Sequence, residues 1–498
     1  MKFTTASFTL MTLGMIPALG IQAREKSEKK NVLFICIDDF RTELGCYGSK
    51  RAITPNLDRF AEQATVFTRH YVQVPTSGAS RCSMLTGLNP TVRRDIANEA
   101  IAYRLTGQPE TERPESFVHL LRRNGYYTVG IGKIGHSADG YSYAYGAPKS
   151  DVPEMPYSWN EFLFDPGQWE TGWNAFFGYA DGNNRNTLKG QVKPYECAPV
   201  GDQGYPDGLT AELAVKKIRE LAGTDQPFFL GVGFFKPHLP FNAPEKYWDL
   251  YDEAQIPLTK YDFIPDQVNK ASLHNSHEIK QYKLGDEDAT LERPVSAAYA
   301  RKLVHAYLAC VSYVDAQVGK VLQALEDADL AENTVVVIWG DHGWHLGEQR
   351  VWGKHTIFEV ALNSAFMVRL PEQRKGQICE RVVSSTDIYP TLVELCQVET
   401  GDPLDGHSLC PLFKKKNTRK WQDVAYSYFN NGVTVRTSRY RLTRYYRKAQ
   451  PTVELYDYKD DPYEVRNIAA ERPDLVKELM PWLEKGDTGL FQAKENGK

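Results

Sequence analysis

Apolar positions along this chain fall into runs of differing texture. Short unbroken runs at Asn31 to Ile37, Tyr126 to Ile131, Pro227 to Phe235 and Thr334 to Trp339 predict strands buried on both faces. Between them, apolar residues recur at helical spacing over Asn56 to Ala64, Phe117 to Asn124 with Gly125 as its cap, Leu209 to Ala222 and Ala297 to Asp327. From about residue 412 the pattern breaks into short strand candidates, Asp423 to Phe429, Gly432 to Thr437 and Tyr440 to Tyr446, closed by a helix from Asp474 to Glu484. Val74 to Ser80 reads as a loop, 140–206 as long surface loops around a site, and 266–293 as a polar insertion. Strands alternating with helices predict an α/β fold: a large, mainly parallel sheet sandwiched by helices, then a small C-terminal antiparallel sheet with its own helix.

The first residues change the picture of the chain's ends. Lys2, an apolar stretch from Phe8 to Ile21, small residues up to Ala23 and a charged run from Arg24 to Lys30 have the order of a cleavable secretory signal. A membrane anchor needs about 20 apolar residues, which Thr4, Thr5, Ser7, Thr9 and Thr12 interrupt, and no later run is long enough to span a bilayer. The expected organisation is therefore a signal peptide at 1–23, a catalytic α/β domain at 24–411 and a C-terminal subdomain at 412–498, exported without stable membrane insertion.

Lys plus Arg total 59 against 63 Asp plus Glu, a formal charge of −4 with no long single-sign block, so nucleic acid is not an expected partner. An anionic ligand then needs a local cationic pocket. The eight cysteines are scattered without metal-ligand spacing, and Cys36 and Cys310 read as small buried hydrophobes.

Chemistry enters where the strands end. Asp38-Asp39 follows one predicted strand and Asp341-His342 another, so a parallel sheet brings both pairs to its carboxyl edge, where such sheets bind ligands. Hard oxygens with one imidazole suit calcium or magnesium; the plainer alternative is that each pair caps a loop or a helix.

The stretch Pro75-Thr76-Ser77-Gly78-Ala79-Ser80-Arg81 with Leu85-Thr86-Gly87 resembles the signature of the sulfatase family, in which a Cys or Ser stands four positions before an Arg. Ile37-Asp38-Asp39, Gly132-Lys133-Ile134-Gly135-His136, Lys236-Pro237-His238, Gly340-Asp341-His342-Gly343, Trp352-Gly353-Lys354, Glu454-Leu455-Tyr456-Asp457 and Asp461-Pro462-Tyr463-Glu464 resemble the family in the same order. Ala79 departs from it, standing where the pattern usually has proline.

The resemblance implies an alkaline-phosphatase-like fold and a formylglycine made from Ser77, matured by a serine-type anaerobic radical enzyme of a bacterium, which puts the protein in the periplasm. It implies a calcium ion held by Asp38, Asp39, Asp341, His342 and modified residue 77. Arg81 would orient the nucleophile, Lys133 and Lys354 would hold the sulfate oxygens, His136 would act as base in sulfate release, and His238 would protonate or bind the leaving sugar oxygen. His70, His119, His274, His277, His305, His355 and His407 read as ordinary packed or surface residues.

Asp38-Asp39-Phe40-Arg41, Phe235-Lys236-Pro237-His238-Leu239-Pro240-Phe241 and Asp341-His342-Gly343-Trp344 are similar to the iduronate 2-sulfatase group. A sulfated oligosaccharide bearing a 2-O-sulfated uronic acid is then the expected substrate, processed from a chain end. Its carboxylate needs a cation, and Lys236, Arg350, Arg93, Arg94 and Arg104 are candidates by proximity to the motifs, while Tyr103, Trp344 and Trp352 are candidates for packing on a sugar. Competing readings are a sulfatase of another position such as 6-O, a phosphatase or phosphodiesterase using unmodified Ser77, and a glycan-binding protein that has lost turnover.

Overall fold

The run Asn31–Ile37 forms strand β1 at the centre of an eight-stranded sheet in the computed structural model, which describes residue 1 and residues 29–107, 113–414 and 420–492. Residues 2–23 of the expected signal peptide lie outside the described residues. The other strands are β2 (Thr65–Tyr71), β3 (Tyr127–Gly132), β4 (Glu161–Leu163), β5 (Phe228–Phe234), β6 (Thr334–Gly340), β7 (Phe366–Arg369) and β8 (Gln377–Ser384). Their order is β8-β2-β7-β6-β1-β5-β3-β4, and β7 alone among them pairs antiparallel to its neighbours.

Strand β1 explains why the sheet reads as an unbroken apolar run. Leu33, Ile35 and Ile37 pack on one face against the helices Pro206–Leu221 and Ala297–Asp327, while Val32, Phe34 and Cys36 pack on the other against the helices Ser77–Thr86, Phe117–Arg123 and Ile388–Cys396. Both side-chain rows are buried, so alternation with polar residues is lost. The helix Ala297–Asp327 has the bounds expected of it, begun by Ser296, whose side chain accepts from the Tyr299 amide.

Register carries the sheet's functional consequence. Ile37 pairs with both Phe234 and Gly340, and Gly132 with Gly233, so Asp38, Asp341 and Lys133 leave neighbouring strands in one row at the carboxyl edge.

The segment 140–206 is more than a set of surface loops. It supplies the edge strand β4, and Trp169, Trp173, Phe176 and Phe177 form a buried cluster with Phe235. The polar insertion at 266–293 likewise buries Leu273, Ile279 and Leu291.

Beyond it, strands Val424–Phe429, Gly432–Thr437, Tyr440–Tyr445 and Val453–Asp457 make a four-stranded antiparallel sheet. Its first hairpin turns at Asn430-Asn431, both with positive φ (48° and 59°), a geometry that suits a tight hairpin and that asparagine tolerates. Leu475, Leu479 and Leu483, four residues apart on the helix Pro473–Gly486, cover Val433, Val435, Leu442 and Leu455. All eight cysteines are free thiols.

Candidate active site

The expected loop at Val74 to Ser80 is half helix: Thr76 is the last extended residue, and Ser77 opens the helix Ser77–Thr86. All ten residues of that helix are buried, so it has no polar face and no helical periodicity to read in the sequence. Gly78 must be glycine here, because a Cβ would meet the Asn98 carbonyl oxygen at 2.0 Å. Ser77 is thereby set at the positive end of a helix, against the carboxyl edge of the sheet.

Ser77 Oγ lies 2.7 Å from Asp38 Oδ1, within hydrogen-bonding reach of Asp341 Oδ2, and 3.3 Å from Lys133 Nζ. Lys133 Nζ donates to Asp38 Oδ2. Arg81, fully buried, donates from Nε to Asp341 Oδ2 at 3.0 Å and from Nη1 to the Lys133 carbonyl at 2.5 Å. The same guanidinium thus fixes a carboxylate and the backbone of the neighbouring motif. Asp39 takes a left-handed φ of 54°, with its carbonyl accepting from Tyr307 Oη at 2.8 Å and its amide donating to Asp341 Oδ1 at 3.0 Å. Lys354 Nζ donates to Asp39 Oδ1 at 2.9 Å.

Electrostatics follow from burial. For Asp38 burial raises the pKa, but Lys133, His238 and Arg81 outweigh it and hold the carboxyl well below its usual range. Asp39 is pushed well above it by burial, with Lys354 only partly offsetting and Asp38 adding repulsion. Burial and the Asp38 charge raise Asp341 to about 6. Three carboxylates this close do not all stay ionised on the resident cations alone.

A divalent cation fits that deficit. One ligand atom each of Asp38, Asp39, Asp341 and His342 lies within 4.8 Å of the others, and Asp39 Oδ2 and His342 Nε2 are buried without a hydrogen-bond partner. Carboxylate oxygens with one imidazole form a donor set that a hard divalent metal satisfies.

The histidines expected to work lie at the rim of this cluster. His238 Nδ1 faces the Leu239 carbonyl at 2.6 Å and Nε2 faces Glu278 Oε1 at 2.9 Å, so both ring nitrogens have an acceptor in reach. Burial pulls its pKa down, Lys354 adds to that, and Glu278 pulls against both. His136 Nε2 meets Tyr145 Oη at 3.3 Å, its Nδ1 is buried without a partner, and burial together with Lys133 holds the ring well below its ordinary pKa. Its backbone amide and that of Ser137 donate to Glu154 Oε1, each at 3.1 Å. A cavity of about 330 Å³ opens beside it, lined by Asn98, His136, Tyr141, Tyr145, Glu154 and Trp173 among others.

Glu278 is a site residue the sequence did not reveal: it reaches His238 and, at 3.4 Å, Lys354 Nζ from the segment taken as a polar insertion. Nothing in the pattern around it marks a motif.

Other candidates are engaged within the fold. Lys236 is buried, its Nζ donating to the carbonyls of His238 and Pro240, and so braces its own loop. Arg350 donates to the Leu291 carbonyl at 3.0 Å. Arg104 is paired with Asp95, and Arg93 reaches Asn431. Trp344 and Trp352 belong to the core, leaving Tyr103 as the exposed aromatic of the three. His345 is held by the Glu348 carbonyl and Thr356 Oγ1, which is a packing role, as His70 has between Ser364 and Ser385.

Residues 30–398 match the family described as Sulfatase, and residues 347–486 match the one described as N-sulphoglucosamine sulphohydrolase, C-terminal. A Formosa agariphila protein named sulfatase is 30% identical over 489 residues, spanning 92% of this chain and 88% of its own. Iduronate 2-sulfatase of Homo sapiens is 30% identical over 412 residues, 80% of this chain and 69% of its own. A solved structure in complex with its substrate D-glucosamine-2-N,6-O-disulfate has the same fold, with a TM-score of 0.69 at 21% identity over 92% of this chain and 97% of the other.

Proposed function

Because this chain belongs to the sulfatase family, it is a sulfuric ester hydrolase, and we propose that its ester is the 2-O-sulfate of a uronic acid. The substrate class is iduronate or unsaturated uronate at the end of heparin, heparan, chondroitin or dermatan fragments. The observation that carries this reading is the 30% identity to human iduronate 2-sulfatase across 80% of the chain, alongside the motifs at Asp38, Lys236 and Asp341. The cavity of about 330 Å³ beside His136 is of a size that takes a small ligand, which supports action on a terminal sugar.

In this reading Ser77 works as formylglycine, reached by two-electron oxidation in a serine-type anaerobic maturase. The hydrated aldehyde supplies one hydroxyl to attack sulfur and a second whose deprotonation expels sulfate. Asp38, Asp39, Asp341, His342 and residue 77 would hold a calcium ion, which when bound would supply Lewis-acid chemistry to the sulfate group. The remaining work belongs to the chain. Arg81 holds Asp341 and the Lys133 backbone, so the nucleophile and the first lysine keep one geometry. Lys133 and Lys354 bring positive charge to where the transferred group becomes most negative. His238, held between the Leu239 carbonyl and Glu278, is the acid for the leaving sugar oxygen, and neutral His136 is the base. The apolar stretch near the start, ending at Ala23, supports export, which makes the periplasm the site of action.

Sulfate release from 2-O-sulfated unsaturated disaccharides, compared with 6-O-sulfated ones, tests the assignment. A preference of at least about 10-fold for the 2-O compound is expected, since one mismatched polar contact alone is worth that much. Release from the 6-O compounds only would overturn the uronate reading and leave the sulfatase intact.

Metal removal gives a separate expectation. Dialysis against a chelator should abolish turnover and lower the melting temperature, with calcium restoring both, because a ligand at 100 times its Kd stabilises by about 2.7 kcal/mol. Unchanged melting and activity in chelator would rule the ion out.

A further inference from the structure

A uronate carboxylate needs a cation inside the site, and the cations nearest the motifs are engaged elsewhere. Lys236 holds two backbone carbonyls, Arg350 a third, Arg104 is paired with Asp95, and Lys133 and Lys354 are paired with Asp38 and Asp39. Arg185 is different. Its side chain is buried, with the residue only 8% exposed, yet it makes no ion pair with any described residue. A buried cation without a counter-charge is unfavourable, and it persists where an anion arrives to complete it.

Its surroundings say where that anion sits. The guanidinium lies 3.5 Å over the Phe177 ring and 5.3 Å from the Tyr282 ring centroid. Phe177 in turn packs edge-on against Tyr145 at 5.3 Å and against His238 at 6.3 Å, so a single ring separates Arg185 from the expected acid. Tyr145 bonds His136, and burial raises its phenol while Lys354, Glu278, Asp38 and Arg185 act on it as charges. The buried Tyr282 hydroxyl stands beside the guanidinium, which acts on it as a charge and as a hydrogen-bond donor while burial raises its phenol, so its own proton is left to donate beside the first. Glu278, the acidic group nearest in this wall, is already committed to His238 and Lys354.

We propose that Arg185, with the Tyr282 hydroxyl, binds the carboxylate of the sulfated uronate and so sets the preference for acidic over neutral sugars. The guanidinium offers a planar fork matched to a carboxylate, and stacking on Phe177 fixes the fork's plane before substrate arrives. This rests on the uronate reading of the site.

The test compares a 2-O-sulfated unsaturated uronate disaccharide with its carboxyl-reduced counterpart, which keeps the sulfate and replaces the carboxylate by an alcohol. Wild-type enzyme should favour the acidic compound in kcat/KM. In Arg185→Gln that ratio should fall by about 10- to 100-fold, mainly through KM, and in Arg185→Lys, which keeps charge without the fork, by less. Melting temperature and calcium titration of each variant separate a folding defect from lost recognition. Should Arg185→Gln not fold, Arg185→Lys alone decides, since a wild-type ratio there overturns the proposal. A ratio unchanged in Arg185→Gln, with 2-O activity intact, overturns the role of Arg185 and leaves the uronate reading standing. Wild-type turnover of 6-O-sulfated sugars in place of both disaccharides overturns the two together.

Discussion

Ser77→Ala is expected to lower sulfate release by about 10⁴-fold or more, the loss seen when a covalent nucleophile is removed. Ser77 Oγ touches Asp38 and lies 3.3 Å from Lys133, and among the described residues no other hydroxyl bonds to both Asp38 and Asp341 side chains. Ser80, the nearest alternative, donates to the Asp341 carbonyl oxygen at 2.5 Å and is thereby turned away. The fold should survive the change. Asp38 keeps Lys133 and Asp341 keeps Arg81, so removing one hydroxyl costs about 1 kcal/mol. The same experiment reads the chemistry of the nucleophile, because the peptide spanning Ser77 in active enzyme should be about 2 Da lighter than its serine form, or correspondingly heavier as the hydrate. Full activity with an unmodified serine mass would sink the formylglycine mechanism and favour direct attack by the hydroxyl, as in the phosphatase alternative.

What the sequence disclosed about this site depended on the kind of burial. Strands β1, β5 and β6 are buried on both faces, and each reads as an apolar run whose end is marked by a polar residue or a turn. Strand β2, with Thr65, Thr68, Arg69 and His70 in seven positions, carries no such signature, because His70 is accommodated by Ser364 and Ser385 from the adjoining segments. The Ser77 helix was hidden for the opposite reason: surrounded on every side, it shows no periodicity. Asp38 and Asp341 are legible from the ends of their strands, Lys133, His238 and Lys354 only from family-like motifs, and the structure gathers all five at one edge of the sheet. Lys236 and Arg350 were named for lying near those motifs along the chain, a criterion blind to direction. The first turns back onto its own loop, and the second faces the Leu291 carbonyl. Glu278 and Arg185 sit in irregular segments and acquire their surroundings only from tertiary packing, so no spacing rule could have selected them.

Arg81→Ala is expected to have the largest effect on stability of any change in the site, and its size should depend on pH and metal together. The guanidinium is fully buried, donates to Asp341 through Nε at 3.0 Å, brings Nη2 to an ion-pair distance of 3.0 Å from the same carboxylate and 3.8 Å from Asp38 Oδ1, and ties down the Lys133 and Ile134 carbonyls. Removing one partner of a buried ion pair costs about 3–5 kcal/mol, because the remaining charge has no solvent to take its place. Activity should fall by about 10²- to 10³-fold as well, since the nucleophile and Lys133 lose their common support. Arg81→Lys should recover part of the stability but little activity, for a lysine cannot bond the carboxylate and two carbonyls in one plane. The pH dependence has a definite sign. Asp341 already has its folded pKa raised to about 6 from an ordinary 3.8, so between those values the folded state holds the extra proton and gains stability as pH falls. Without Arg81 the folded value rises further, so the loss is greatest above about pH 6 and shrinks as acid neutralises the carboxyl. A divalent cation on the same carboxylates should do at neutral pH what protons do in acid. Denaturant unfolding of the variant at pH 7.5 and pH 5, each with chelator and with calcium, is therefore expected to give the largest deficit at high pH in chelator. A deficit that ignores both pH and metal would mean that Arg81 acts through packing alone.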